Sequence, residues 1–245
     1  MKTLAVIPAR YASTRFPGKP LADINGKSMI RRTYEQAQQA SSVDRVVVAT
    51  DDERIVRHVR AFGGEVVLTD PDHPSGTDRV AEVAAMAGDE YAFVVNVQGD
   101  EPFIPPAMID QVVGLLRRGN TIGTLAHEIT RAEDLHDPNV VKVVRDRRGK
   151  ALYFSRSPLP YDRATPPPSE GPLPPDTYYR HIGIYAFRTG ALTDLSELST
   201  TPLEEREQLE QLRWLEHGFA IQVDITELRS VGIDTPAQLA AYIDG

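Results

Sequence analysis

Short runs of consecutive apolar residues alternate with helix-period stretches through the first half of the chain. Residues 4–7, 46–49, 66–68 and 92–97 are too short for helices and apolar at nearly every position, the pattern of strands buried on both faces. Between and after them, periodic apolar positions predict helices over 28–40, 52–62 and 76–86, and Pro105-Pro106 starts another at its first turn. Strand–helix alternation of this kind predicts right-handed βαβ units. The fold class is therefore α/β: a mostly parallel central sheet with helices on both faces.

The pattern changes after a further strand-like run at 122–128. Residues 140–144, 151–154 and 182–187 read as strands, and the prolines at 166–168, 172, 174 and 175 mark a loop between the last two. One helix through 202–217, a strand near 221–223 and a short helix begun by Thr235-Pro236 complete the reading. At 245 residues the chain suits a single domain over 1–245, with a strand-rich subregion at roughly 150–200 inside it.

Composition narrows the function classes. A net charge of −8 argues against a nucleic-acid surface, which needs a basic face. The absence of cysteine removes disulfides, thiolate metal sites and thiol nucleophiles, which suits a reducing, cytoplasmic setting. No apolar run approaches the roughly 20 residues that span a bilayer, so no membrane partner is expected.

Against that acidic background, the first strand opens into Ala9-Arg10-Tyr11-Ala12-Ser13-Thr14-Arg15-Phe16-Pro17-Gly18-Lys19-Pro20, with three cations in one loop. In open α/β sheets ligands bind beyond the carboxyl ends of strands, so Arg10, Arg15 and Lys19 stand where a polyphosphate would lie. The spacing is not a Walker A loop, because Pro20 follows Gly18-Lys19. Arg forks and a Lys point charge, more than a glycine cradle, must then hold the phosphates. A plain solvated loop is the alternative.

The run at 92–97 delivers Gln98-Gly99-Asp100-Glu101 to the same sheet edge. Asp100 can hold a hard divalent cation, most simply Mg²⁺, or cap the segment that follows. Asp234, before Thr235-Pro236, is either a second ligand or part of a helix cap. Ser75-Gly76, at the start of a helix, can receive an anion or a base edge, or form an ordinary capping turn. Arg156 and Arg180-His181 fall in the strand-rich half, where an arginine can pair with a substrate carboxylate or lie on the surface.

Eight segments in order, PARYASTRFPGKPL, VATDD, SGTDR, NVQGDEP, ALYFSR, YYRHIGIY, LEQLR and GIDTP, closely resemble the 3-deoxy-manno-octulosonate (Kdo) cytidylyltransferases. The resemblance runs from residue 4 to about 240. It implies a nucleotide-diphospho-sugar transferase-like fold and the conversion of CTP and Kdo to CMP-Kdo and pyrophosphate, for lipopolysaccharide in Gram-negative cytoplasm. By that resemblance Ala9, Arg10, Lys19, Ser75, Gly76 and Gln98 hold the nucleotide. Arg15, Gln98, Arg156, His181, Tyr185, Glu210 and Gln211 hold the sugar. Asp100 and Asp234 hold Mg²⁺, and Arg10, Lys19 and Asp100 carry catalysis. It also implies a homodimer packed through a strand-rich arm. A cytidylyltransferase for another acidic sugar (amino-substituted Kdo or a sialic acid), a non-catalytic nucleotide sensor and an interaction protein are the competing readings.

Overall fold

The computed structural model describes residues 1–12 and 16–243. Its main sheet runs in the order β11 (Ile221–Ile225), β7 (Ile122–Glu128), β10 (Tyr179–Arg188), β6 (Phe93–Asn96), β1 (Thr3–Ala9), β4 (Arg45–Thr50), β5 (Val66–Leu68). Neighbours are parallel except around β10, which runs antiparallel to both β6 and β7. The hairpin of β8 (Lys142–Arg145) and β9 (Ala151–Ser155) hangs from β10 through β8.

Burial on both faces explains the unbroken apolar runs. Along β1, Ala5 and Ile7 pack with α1 (Met29–Gln38), α2 (Glu53–Ala61) and α4 (Pro106–Arg117). Leu4 and Val6 face the other way, toward α3 (Gly76–Ala87) and residues of α6 (Thr189–Ser196) and α8 (Gln211–Glu216). Each face of the sheet therefore carries its own core, and function is left to the strand ends.

Two features place the site. Because Tyr185 of β10 pairs with Asn96 near the end of β6, residues 179–183 run on past the carboxyl end of β6 and overhang the segment containing Gln98. Gly99 lies tightly against the end of β1: a Cβ there would stand 2.8 Å from the Pro8 carbonyl oxygen.

The expected helix over 202–217 is instead two helices, α7 (Pro202–Glu207) and α8, broken where Gln208 takes a left-handed conformation, φ 52° and ψ 50°. The break turns Glu210 toward the start of α3 and lets the carbonyls of Glu207 and Gln208 accept from Arg156. No helix among the described residues is long and apolar enough to cross a membrane.

Candidate active site

Lys19 is the meeting point of the sheet edge. Its Nζ donates to Asp100 Oδ2 at 2.7 Å and to Asp234 Oδ1 at 3.0 Å, joining groups 81 and 215 residues away in sequence. The loop base that aims it is tied down: Gly18, at φ 74°, donates its N–H to the Tyr11 carbonyl at 3.0 Å and packs beneath the Tyr11 ring. The Arg54 guanidinium lies 3.3 Å over the centre of that ring, a cation–π contact. Phe16 to Lys19 thus form a fixed shelf, while Arg15 lies outside the described residues.

The Asp100 carboxylate faces Lys19, and its backbone oxygen accepts from Ile233 N at 3.0 Å, which draws the carboxy-terminal segment to the sheet. Ile233 anchors that segment in a small core with Ile24 and Met29. Thr235 caps α9 (Pro236–Ile243): its Oγ1 accepts from Gln238 N, and Gln238 Oε1 accepts in return from the Thr235 and Asp234 N–H groups. Two carboxylates from unrelated segments already share one cation.

A cleft of about 440 Å³ opens beside them, lined by Ala9, Arg10, Lys19, Ser75, Gly76, Gln98 and Asp100 together with Pro8, Ala12, Pro20, Pro74 and Gly99. Arg10 spans its rim and donates from Nη2 to the carbonyls of His73 and Ser75. Ser75 caps α3 in a reciprocal box with Asp78. The Ser75 hydroxyl also lies 2.8 Å from Glu210 Oε1 and 2.6 Å from Asp78 Oδ2. Burial pushes the Glu210 pKa up, opposed by the hydrogen bonds from Thr77 and Ser75.

A family model described as "Cytidylyltransferase" matches residues 4–225. The chain belongs to the cytidylyltransferase family. A 3-deoxy-manno-octulosonate cytidylyltransferase of Syntrophotalea carbinolica is 52% identical to it, the alignment covering 98% of this chain and 96% of that one. One of Parabacteroides distasonis is 49% identical at the same coverages. Among solved structures, a CMP:2-keto-3-deoxy-manno-octonic acid synthetase complexed with CTP superposes with a TM-score of 0.90 at 43% identity, covering 100% of this chain and 98% of that one. A 4-diphosphocytidyl-2C-methyl-D-erythritol synthase from Anaerococcus prevotii, 14% identical with a TM-score of 0.63 over 99% of this chain and 97% of its own, shares the fold.

In this cytidylyltransferase the residues expected to meet a sugar fall into two states. Gln98 lines the cleft and donates to the Gly183 carbonyl at 3.0 Å, linking the cleft to the overhang of β10. Tyr185 is buried, with no hydrogen bond to its hydroxyl among the described residues, and the Glu210 carboxyl lies within its electrostatic reach. Gln211 is buried beside them at the start of α8. His181 keeps some surface, yet its ring nitrogens are desolvated and its pKa is pushed down to about 3; it stays a neutral imidazole against Thr124 and Phe154.

Arg156 is engaged elsewhere, donating to the carbonyls of Glu207 at 2.7 Å, Pro138 at 2.9 Å and Gln208 at 3.3 Å. Thr77, which donates to Glu210 at 2.6 Å, and Glu207, which accepts from Ser155 Oγ and Arg156 N, belong to the same framework. Nothing in their local sequence distinguishes them, because their partners are remote in the chain.

Across Gln98 a second cavity of about 330 Å³ is lined in part by Glu101, Arg180, His181 and Ser230. Burial pushes the Glu101 carboxyl up to about 7 from 4.5, opposed by the hydrogen bond from Ser230. A raised acid binds its proton more tightly when folded, so this contribution to stability is fully present below about pH 4.5 and is lost as pH rises to about 7. In Glu101→Gln, unfolding free energies measured from pH 4 to 8 by urea titration are expected to lose this slope. A variant that keeps the wild-type slope would place the titration elsewhere.

Proposed function

We propose that this cytidylyltransferase transfers CMP from CTP to the anomeric hydroxyl of Kdo, releasing pyrophosphate and activating the sugar for lipopolysaccharide synthesis. The observation that carries the reading is the convergence of Lys19, Asp100 and Asp234 beside the cleft that Arg10 rims. The choice of sugar is supported by relatives about half identical over nearly the whole chain that bear that name.

Arg10 and Lys19 are assigned to the phosphates, with the backbone at Ala9, Ser75 and Gly76 bounding the nucleotide. The hydroxyl attacks the α-phosphorus in line, so positioning and neutralisation of charge on the departing pyrophosphate supply most of the rate. Gln98, Tyr185, His181 and Gln211 frame the acceptor side, and Glu210 fixes the nucleotide loop to α8. Arg156 and Arg15 are the candidates for the Kdo carboxylate.

The Asp100–Asp234 pair fits Mg²⁺. No group of three or more ligand-type side chains occurs among the described residues, and Mg²⁺ characteristically takes one or two carboxylates, filling its octahedron with water and phosphate oxygens. When bound it supplies charge neutralisation at the α-phosphate and lowers the pKa of a coordinated hydroxyl.

A homodimer is supported by the β8–β9 hairpin, whose outer strand exposes Leu152 at 62% of its surface. A cytoplasmic location is supported by the cysteine-free composition.

The test is pyrophosphate release with CTP against Kdo, 8-amino-Kdo and a sialic acid, with and without a chelator. Release with Kdo that the chelator abolishes is expected. Equal release with the sialic acid would withdraw the Kdo assignment, and no release with any sugar would withdraw the transferase itself.

A further inference from the structure

We propose, resting on the assignment of Lys19 to the phosphates, that Tyr11, Arg54 and Asp52 are positioning residues for phosphoryl transfer. Together they form a stacked clamp that aims the Lys19 ammonium, although none of the three lines the cleft.

Lys19 is held from two sides. On its carboxyl side Pro20 is buried, Leu21 N donates to the Gly18 carbonyl at 2.9 Å and Ala22 N to that of Lys19 at 3.1 Å. On its amino side the anchor is Tyr11. Gly18 donates its N–H to the Tyr11 carbonyl at 3.0 Å, and a Cβ on Gly18 would stand 3.3 Å from the Tyr11 ring and its hydroxyl oxygen. Glycine suits this position twice over, through its left-handed φ of 74° and through the close approach of the ring.

Tyr11 is in turn held by the start of α2. The Arg54 guanidinium covers its ring, 3.3 Å from the centre, while the other ring contacts reach the edge of the core. Asp52 fixes the plane of that guanidinium with both oxygens: Nε donates to Oδ1 at 2.9 Å and Nη2 to Oδ2 at 2.5 Å. Asp52 is itself set by the fold, since its Oδ1 accepts from Arg54 N at 2.8 Å as the N-cap of α2 and its N–H donates to Thr50 Oγ1 at the end of β4. A plate of fixed orientation against the ring limits the ring's tilt, and the ring limits Gly18. Contacts therefore run unbroken from β4 through Asp52, Arg54, Tyr11 and Gly18 to Lys19.

Such a stack contributes little to stability, because Arg54 is 52% exposed and its ion pair is screened by water. Its effect falls on geometry. The Lys19 ammonium sits at the end of a flexible four-carbon stem, so a tilt of the backbone is magnified at Nζ, and a displacement of about 1 Å from the reacting geometry can cost up to about 10²-fold in rate.

The test is single-turnover pyrophosphate release, with enzyme in excess and CTP, Kdo and Mg²⁺ saturating, for Arg54→Met and Tyr11→Leu in the wild-type and Lys19→Met backgrounds. In the wild-type background Arg54→Met is expected to slow release about fivefold and Tyr11→Leu about tenfold, each with a smaller change in KM for CTP in steady state. Tyr11→Phe, which keeps the ring, is expected to recover most of the rate. In the Lys19→Met background both losses are expected to shrink below about twofold, because the group they aim is gone. A purely structural role would leave the losses the same in both backgrounds. Arg54→Met changes an exposed side chain and is expected to melt within about 5 °C of wild type, so it carries the test if Tyr11→Leu folds poorly. Undiminished losses in the Lys19→Met background, or a wild-type rate in Arg54→Met, with Lys19→Met itself impaired, overturn the clamp and leave Lys19 at the phosphates. A wild-type rate in Lys19→Met overturns both.

Discussion

Asp100→Asn is expected to reduce pyrophosphate release to the assay background, a loss of more than about a thousandfold, while the variant melts within about 5 °C of wild type. The substitution is nearly isosteric and removes one negative charge. Asp100 keeps 30% of its side chain exposed, and the bond between its carbonyl and Ile233 N does not involve the carboxylate. Lys19 retains Asp234 as a partner. Fold stability therefore changes little, since a partly exposed ion pair contributes about 1 kcal/mol or less. Chemistry has no such reserve: an amide oxygen carries no full charge for a dication, and a misplaced or missing cation leaves charge on the transferring phosphoryl group uncompensated. Single-turnover pyrophosphate release and a thermal melt measure the two halves of the claim. Metal-dependent turnover near the wild-type rate would remove Asp100 from the centre.

The elements that formed where the sequence placed them are those with a two-sided burial signature. Residues 4–7, 46–49 and 92–97 are apolar at successive positions because both faces of β1, β4 and β6 are covered, and that signal is local. The antiparallel insertion of β10 between β6 and β7 has no local signal, since direction is decided by pairing partners rather than by the strand's own composition. The break at Gln208 was equally invisible: Glu-Gln-Leu-Glu-Gln is good helix sequence, and only tertiary bonds to Arg156 and Glu210 give the left-handed turn its reason.

The site divides in the same way. Lys19, Asp100 and Asp234 each announce themselves as charged residues at strand–loop junctions, but their meeting depends on β1 and β6 being neighbours and on Ile233 docking against Asp100. That Thr235 caps the last helix needed the Gln238 bonds to show it. Ser75 turns out to hold two positions at once, capping α3 and meeting Glu210, because a residue 135 positions away reaches it. Residue type and local spacing expose candidates; topology decides which of them share a volume.

For Lys19→Met, the turnover number at saturating CTP and Mg²⁺ is expected to fall about a hundredfold. The substitution removes a positive charge from beside the cleft assigned to the phosphates, and losing one transition-state charge partner costs on the order of 10²–10³ in rate. Lys19→Arg is expected to recover only part of the rate, because a planar fork on a longer stem does not place its charge where a compact ammonium does. Steady-state assays at saturating CTP and Mg²⁺ measure the loss. A Lys19→Met turnover number equal to wild type at saturating metal would confine Lys19 to the role of counter-ion and remove it from phosphoryl transfer.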